Sequence, residues 1–246
     1  WPSRDDERRF LPESTMKYRG TPDFDHAQAG RVGVLLTNLG TPQAPKKEAL
    51  RPYLKQFLSD PRVVEVPRLL WWFILNGIIL NTRPAKSAEA YATVWDSEGP
   101  GAPLLNISLR QVDAIAEQVR PHFQGPVEFE LCMRYGNPSI ASALKKLQDK
   151  GCQRILVLPL YPQYAAATSA STFDAVTAEL QTWRWIPELR FINKYHRHPG
   201  YIKALANSIR EYQAEHGKPP ENGLEYRTGH SEGGFDVLDL NFLPEE

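Results

Sequence analysis

Apolar residues recur along this chain in two rhythms: compact runs of strand length, and longer stretches in which they return every third or fourth position. The compact runs lie at Val32–Leu39, Val127–Met133, Ile155–Leu158 and Leu189–Ile192. Ile155–Leu158 holds no polar residue, the pattern of a strand covered on both faces of a parallel sheet. Between the runs, helical spacing groups Leu50, Tyr53, Leu54 and Phe57 within a helix over about Lys46–Leu58. It then groups Leu105, Leu109, Val112, Ile115 and Val119, and next Ile140, Leu144 and Leu147. Lys150 and Gly151 close the helix begun at Ile140, a cation in the last turn followed by a glycine suited to the C-terminal cap. Further helices are predicted from Ala85 to about Trp95, from about Phe173 to Trp183, and through Ile202, Leu205, Ile209 and Tyr212. Strand and helix therefore alternate, which argues for an α/β fold: a parallel sheet with right-handed crossovers and helices on both faces.

The pattern stops at both ends. Residues 1–15 are charged and proline-marked rather than apolar, unlike a signal peptide, and residues 1–29 read as a poorly ordered extension. Residues 30–218 form the α/β domain, and 219–246 an acidic tail without periodicity. Ser97–Pro103 reads as a loop. The run Leu69–Leu80 is apolar but falls short of the roughly 18 residues that span a bilayer. It reads either as a core helix or as an exposed lip that meets a flat greasy ligand or a membrane surface. The adjacent Trp71 and Trp72 point in different directions from a helix, so one neighbour does not bury both.

Chemistry is sparser. The stretch Pro159-Leu160-Tyr161-Pro162 follows the cleanest strand and opens into small and hydroxyl residues through Thr172. Open α/β sheets place ligands outside the carboxyl ends of their strands, so this is the first place to expect a site. No G-x-G-x-x-G follows the first strand, which removes the dinucleotide fingerprint. Lys plus Arg and Asp plus Glu number 29 each, so nothing in the charge balance calls for nucleic acid. Cys132 and Cys152 have no metal-ligand spacing and read as buried thiols in a reducing compartment. His196 and His198 precede a proline and a helix, where a solvated turn is the simpler reading than a metal site. Taken by themselves, Arg134 reads as a surface cation, and Tyr135, Tyr161 and Tyr164 as packing aromatics.

Four segments nevertheless carry a family pattern: Leu35–Pro42, Tyr53–Asp60, Met133–Pro138 and Leu158–Tyr164. In that order they resemble the ferrochelatases of the bacterial type, lyases that insert ferrous iron into a porphyrin to make haem. The resemblance spans about residues 31 to 218. It implies a chelatase-like fold of two similar α/β domains with the porphyrin between them, the second domain being largely missing from this sequence. It puts Leu39 beside the porphyrin face, Arg134 and Tyr135 on the cleft lining, and Tyr164, Thr168 and Thr172 along another wall. Leu69–Leu80 matches the cleft lip, and Arg83 and Lys86 fall near the propionates. Porphyrin and ferrous iron are then substrates, no cofactor is required, and the location is cytoplasmic with peripheral membrane contact through the lip.

A porphyrin is flat, apolar and edged with carboxylates, so apolar walls with a few cations suit it. Metal insertion also removes two pyrrole protons, which demands a base at the ring face. The resemblance implies a metal-side histidine in a Ser-x-His-Gly-x-Pro motif and a later glutamate; neither stands in this sequence, and His230 lacks the strand that delivers the histidine. No catalytic or metal-ligating residue is therefore assigned. The expectation is a ferrochelatase-type chain, truncated and impaired as an isolated polypeptide. The alternatives are a non-catalytic porphyrin-binding fragment and a chelatase for another metal or tetrapyrrole.

Overall fold

The computed structural model describes residues 18–20, 30–95 and 102–217. The extension expected over 1–29, apart from 18–20, lies outside these residues, as do most of the loop at 97–103 and the tail 219–246, His230 included. The chain divides between Lys194 and Tyr195 into two compact units.

The first unit is built on four strands, β1 (Arg31–Thr41), β2 (Val127–Gly136), β3 (Cys152–Pro159) and β4 (Glu188–Phe191). They lie in the order β2-β1-β3-β4 and every neighbouring pair is parallel. The expected α/β architecture is therefore present. Alternation along the strands feeds two apolar layers. Leu35, Cys132, Ile155 and Val157 pack under α5 (Ile140–Asp149) and α6 (Ser171–Leu180). Val34, Leu36, Phe129, Leu131 and Met133 pack under α4 (Pro103–Val119). The chain leaves β1 toward β2 on one side and returns through α5 to β3 on the other, so the direction of sheet growth reverses at β1. In this topology that reversal opens a crevice at the carboxyl ends of the strands.

A third cluster covers that end. Leu50 and Tyr53 of α1 (Lys47–Leu58) meet Ala88 of α3 (Leu80–Ala92) and Tyr135 of β2. Two glycines let the strand ends approach closely. Gly40, at φ 108°, stands opposite Tyr135, and a Cβ there would lie 1.8 Å from the Tyr135 carbonyl oxygen. Gly136, at φ 87°, pairs with Thr41, and its N–H donates to Gln56 Oε1 at 2.9 Å.

Three local expectations are corrected. First, β2 does not end before Arg134 but runs to Gly136, so Arg134 and Tyr135 are strand residues. Second, Pro84 does not precede a helix but sits inside α3. A proline removes the hydrogen bond to the carbonyl four residues back; that carbonyl belongs to Leu80, and it accepts from Arg51 Nη1 instead. Third, the small-residue loop before Phe173 is largely a π-helical turn, Ala166–Ala170, running directly into α6.

The apolar run spans α2 (Arg68–Ile74), a π-helical turn over Leu75–Ile79, and the start of α3. The wider turn loosens backbone carbonyls, which side chains recover: Asn81 Nδ2 donates to the carbonyls of Asn76 and Gly77, and Thr82 Oγ1 to that of Ile78. Among the described residues no helix is long and apolar enough to cross a membrane. Residues 18–20 are held at Arg19, whose N–H donates to the Thr182 carbonyl at 2.8 Å and whose carbonyl accepts from the Arg184 N–H at 2.8 Å.

The second unit carries α7 (Pro199–His216), which ends at Gly217 with φ 84°. His198 caps it, its Nδ1 accepting from the Gly200 N–H at 3.2 Å. His198 is thus a cap residue, whereas His196 has a buried Nδ1; among the described residues no group of three or more His, Cys, Asp or Glu is placed to hold a metal.

Candidate functional site

Asp60 organises the carboxyl end of the sheet. Helix α1 ends at Leu58, and Ser59-Asp60-Pro61 turns the chain toward α2. Asp60 Oδ1 accepts from the Arg62 N–H at 2.8 Å, which closes the turn. Its Oδ2 accepts three more bonds, from Arg134 Nη2 at 2.5 Å, Tyr135 Oη at 2.8 Å and Ser171 Oγ at 2.5 Å. Ser171 in turn accepts from Arg134 Nε, at its hydroxyl (2.7 Å) and its carbonyl (3.0 Å). The Arg134 guanidinium lies 4.5 Å from the centroid of the Tyr135 ring. One carboxylate thus joins the α1–α2 turn, β2 and the start of α6.

The pair is sheltered: the Asp60 side chain is 4% exposed and that of Arg134 15%. Burial favours the neutral carboxyl, but the Ser171 hydroxyl, the Arg62 N–H, the Tyr135 hydroxyl and the Arg134 charge outweigh it and hold Asp60 below its ordinary value. Burial, with the facing carboxylate adding to it, pushes Tyr135 up to about 12. The network therefore has a fixed polarity. Asp60 is ionised, Tyr135 and Ser171 donate to it, and the bonds of Arg134 use Nε and Nη2 while leaving its Nη1 edge outside the network.

The apolar lip stands on the same turn. Arg68 Nη2 donates to the Ser59 carbonyl at 2.7 Å, and Trp71 Nε1 to the Leu58 carbonyl at 2.6 Å. Above these anchors Leu69 (73% exposed), Leu70, Trp72, Phe73 and Ile78 all face outward. Trp72 and Phe73 meet edge to face at 5.1 Å. Leu75 and Leu80 are the buried roots of the segment. Of the two readings of this run the exposed lip is the one the structure shows, and the two tryptophans divide between anchor and lip.

The remaining sequence-derived positions fall into two groups. Arg134, Tyr135 and the first turn of α6 with Thr172 gather at Asp60, and Leu39 packs half-buried into the Tyr135 cluster. Tyr135 and Thr172 are fully buried and present no surface of their own. The hydroxyls of Thr172 and Tyr161 interact electrostatically, although neither completes a hydrogen bond of ordinary geometry. Tyr164 is 49% exposed, and Thr168 is half-buried with its hydroxyl donating to the Ala165 carbonyl at 3.3 Å. Arg83 and Lys86 are exposed on α3, three residues apart and so on one face, and neither joins the Asp60 network.

Sequence reasoning gave no role to Asp60, which it named only as the end of a family segment, or to Ser171, one small residue among many before Thr172. It also missed Arg62, whose Nε and Nη2 grip Asp174 of α6 at 2.6 and 3.1 Å outside the buried pair. Arg134 further lines a cavity of about 390 Å³ with Gln56, Met133, Ser139, Ala175 and Glu179. No lip residue lines that cavity.

Residues 31–225 match the family model described as Ferrochelatase. Among curated proteins, the chain is 71% identical over 206 residues to the protein named "Ferrochelatase" of Hydrogenovibrio crunogenus, covering 83% of this chain and 54% of that one. It is 54% identical over 203 residues to "Ferrochelatase" of Thioalkalivibrio sulfidiphilus, covering 82% and 54%. A third, "Ferrochelatase" of Methylobacillus flagellatus, is 54% identical over 202 residues, covering 82% and 58%. The chain thus spans little more than half the length of the curated relatives it matches.

Proposed function

This chain belongs to the ferrochelatase family, and on that premise we propose that it supplies one wall of a porphyrin cleft for the insertion of ferrous iron in haem biosynthesis. The observation that carries this reading is the lip: an outward row of Leu69, Leu70, Trp72, Phe73 and Ile78, anchored to the turn that holds Asp60. Soluble proteins seldom leave such a row to water unless something binds it. A macrocycle satisfies it. Leu39, Tyr164 and Thr168 supply the wall beyond the lip, while Arg83 and Lys86 supply cations for the carboxylate edge. The same outward row is the surface through which peripheral membrane contact is expected.

In the reaction Fe²⁺ enters the ring as two pyrrole N–H protons leave, so the charge balances and a base must take each proton. The groups described at this wall do not offer that base. Asp60 already accepts four hydrogen bonds, and burial holds Tyr135 and Tyr161 protonated. The work of this segment is to bind and orient the macrocycle, and the polypeptide by itself is expected to insert metal poorly.

Titration with a soluble dicarboxylate porphyrin tests the reading. The Soret band is expected to shift and the shift to saturate. No spectral change at high protein concentration would remove the proposal. In a parallel assay, zinc or iron insertion at a rate matching a full-length family member would overturn the division of labour.

A further inference from the structure

Asp60 is buried, its side chain 4% exposed, yet it is the most heavily bonded side chain described at the strand ends. A buried carboxylate has about four acceptor sites to satisfy. This one collects donors from four residues, and the four come from three separate elements. Arg62 belongs to its own turn, Arg134 and Tyr135 to β2, and Ser171 to α6. The arrangement leaves the guanidinium little freedom. Asp60 fixes Nη2, Ser171 fixes Nε from two oxygens, and the Tyr135 ring supports the flat face at 4.5 Å. What remains is the Nη1 edge, held in one direction by its own covalent geometry because a guanidinium is planar.

We propose that Asp60 is a positioning residue of the porphyrin site, holding the Arg134 guanidinium in a single orientation with its Nη1 edge left free for the ligand. The role rests on the reading of this wall as a porphyrin-binding surface. Asp60 does not meet the ligand. It sets the fraction of molecules in which Arg134 is ready to do so, and apparent affinity scales with that fraction. Because the same turn carries the anchors of α2 at Leu58 and Ser59, the guanidinium and the apolar lip take their places together.

The test is a thermodynamic cycle read by Soret titration with a dicarboxylate porphyrin. Asp60→Asn keeps the size of the side chain but loses its charge, and is expected to raise the dissociation constant about tenfold, as when only about one molecule in ten retains the competent arginine. Arg134→Ala is expected to raise it at least as much. The decisive arm is the double variant: a residue acting through Arg134 adds nothing once Arg134 is gone, whereas a merely structural residue adds its full effect. Ser171→Ala removes one hydroxyl without unpairing the carboxylate from Arg134, and is expected to weaken binding by a smaller factor in the same direction. It carries the test if Asp60→Asn does not fold.

Wild-type affinity in Asp60→Asn, or in Ser171→Ala where only that variant folds, overturns the positioning role and leaves the porphyrin reading standing. Additive effects in the double variant overturn it equally. A Soret band unmoved by the unsubstituted chain overturns the reading itself, and the positioning role with it.

Discussion

At the scale of single residues, the buried pair of Asp60 and Arg134 controls both acid stability and the orientation of a cation. The carboxyl sits below its ordinary value when folded and returns to about 3.9 when unfolded. A lowered folded value means that the stabilisation is complete above the unfolded value and is lost as pH falls through the folded one. The melting temperature is therefore expected to show no pH dependence from Asp60 between neutrality and about pH 5, and to fall below that. Asp60→Asn should start lower, by about 3–5 kcal/mol in urea unfolding, because it leaves Arg134 without its charge partner. Its own profile should lack the acid step that Asp60 contributes. Tyr135→Phe removes one donor of four and should cost about 1–2 kcal/mol in the same assay. None of this was legible from local pattern. Asp60 stands 74, 75 and 111 residues from Arg134, Tyr135 and Ser171, and a lone Asp before a proline looks like a helix stop. The family pattern pointed to Arg134 and Tyr135, but what those two hold on to became visible only with the strand ends assembled.

At the scale of elements, the segment 68–92 shows how an apolar run avoids becoming core. Its inward positions, Leu75, Leu80, Pro84 and Ala88, are buried, while the π-helical turn between α2 and α3 shifts the face and leaves five large side chains outside. Trp72→Ser combined with Phe73→Ser should leave urea unfolding within about 0.5 kcal/mol of the parent, since neither side chain is buried. The same double variant should weaken porphyrin binding at least tenfold, because covering each ring is worth about 1.5–3 kcal/mol. Unchanged affinity would remove the lip from the site. Arg51→Met tests the other half of the segment. It strands the Leu80 carbonyl that Pro84 has freed, and should cost about 1 kcal/mol without touching the lip. Hydrophobic spacing found the strands and most of the helices, because each has one face that must be covered. It misread Pro84 as a helix start, since nothing in local spacing shows that a distant side chain, Arg51, takes the freed carbonyl. Asn76 and Gly77, which interrupt the run in sequence, turn out to mark the π-helical turn.

At the scale of the whole sheet, alternation of strand and helix was enough to give parallel pairing, but not the order β2-β1-β3-β4, which depends on the side of β1 to which each crossover returns. That order places the two cysteines on one apolar layer under α5 and α6, where they report on how the sheet opens. Burial raises the Cys132 thiol well above the ordinary range, and pushes Cys152 up to about 11 with the Glu128 charge adding to it. Near pH 8 the Cys152 thiolate is then on the order of one molecule in a thousand, compared with roughly a quarter for a free thiol. Ellman's reagent at that pH should leave both thiols unreacted in the native protein and label both after unfolding. The two should nevertheless differ in how they are released. Cys152 begins β3 beside Arg31, where the register along β1 shifts, whereas Cys132 lies mid-strand beneath Ile140 and Leu144. Stability is lowest at element ends and highest in the packed middle. Labelling of Cys152, followed in a Cys132→Ala variant, is therefore expected at urea concentrations below the global transition. Labelling of Cys132, followed in Cys152→Ala, should coincide with loss of circular dichroism. Coincident labelling curves would mean that the strand starts and the packed middle of the sheet open as one unit.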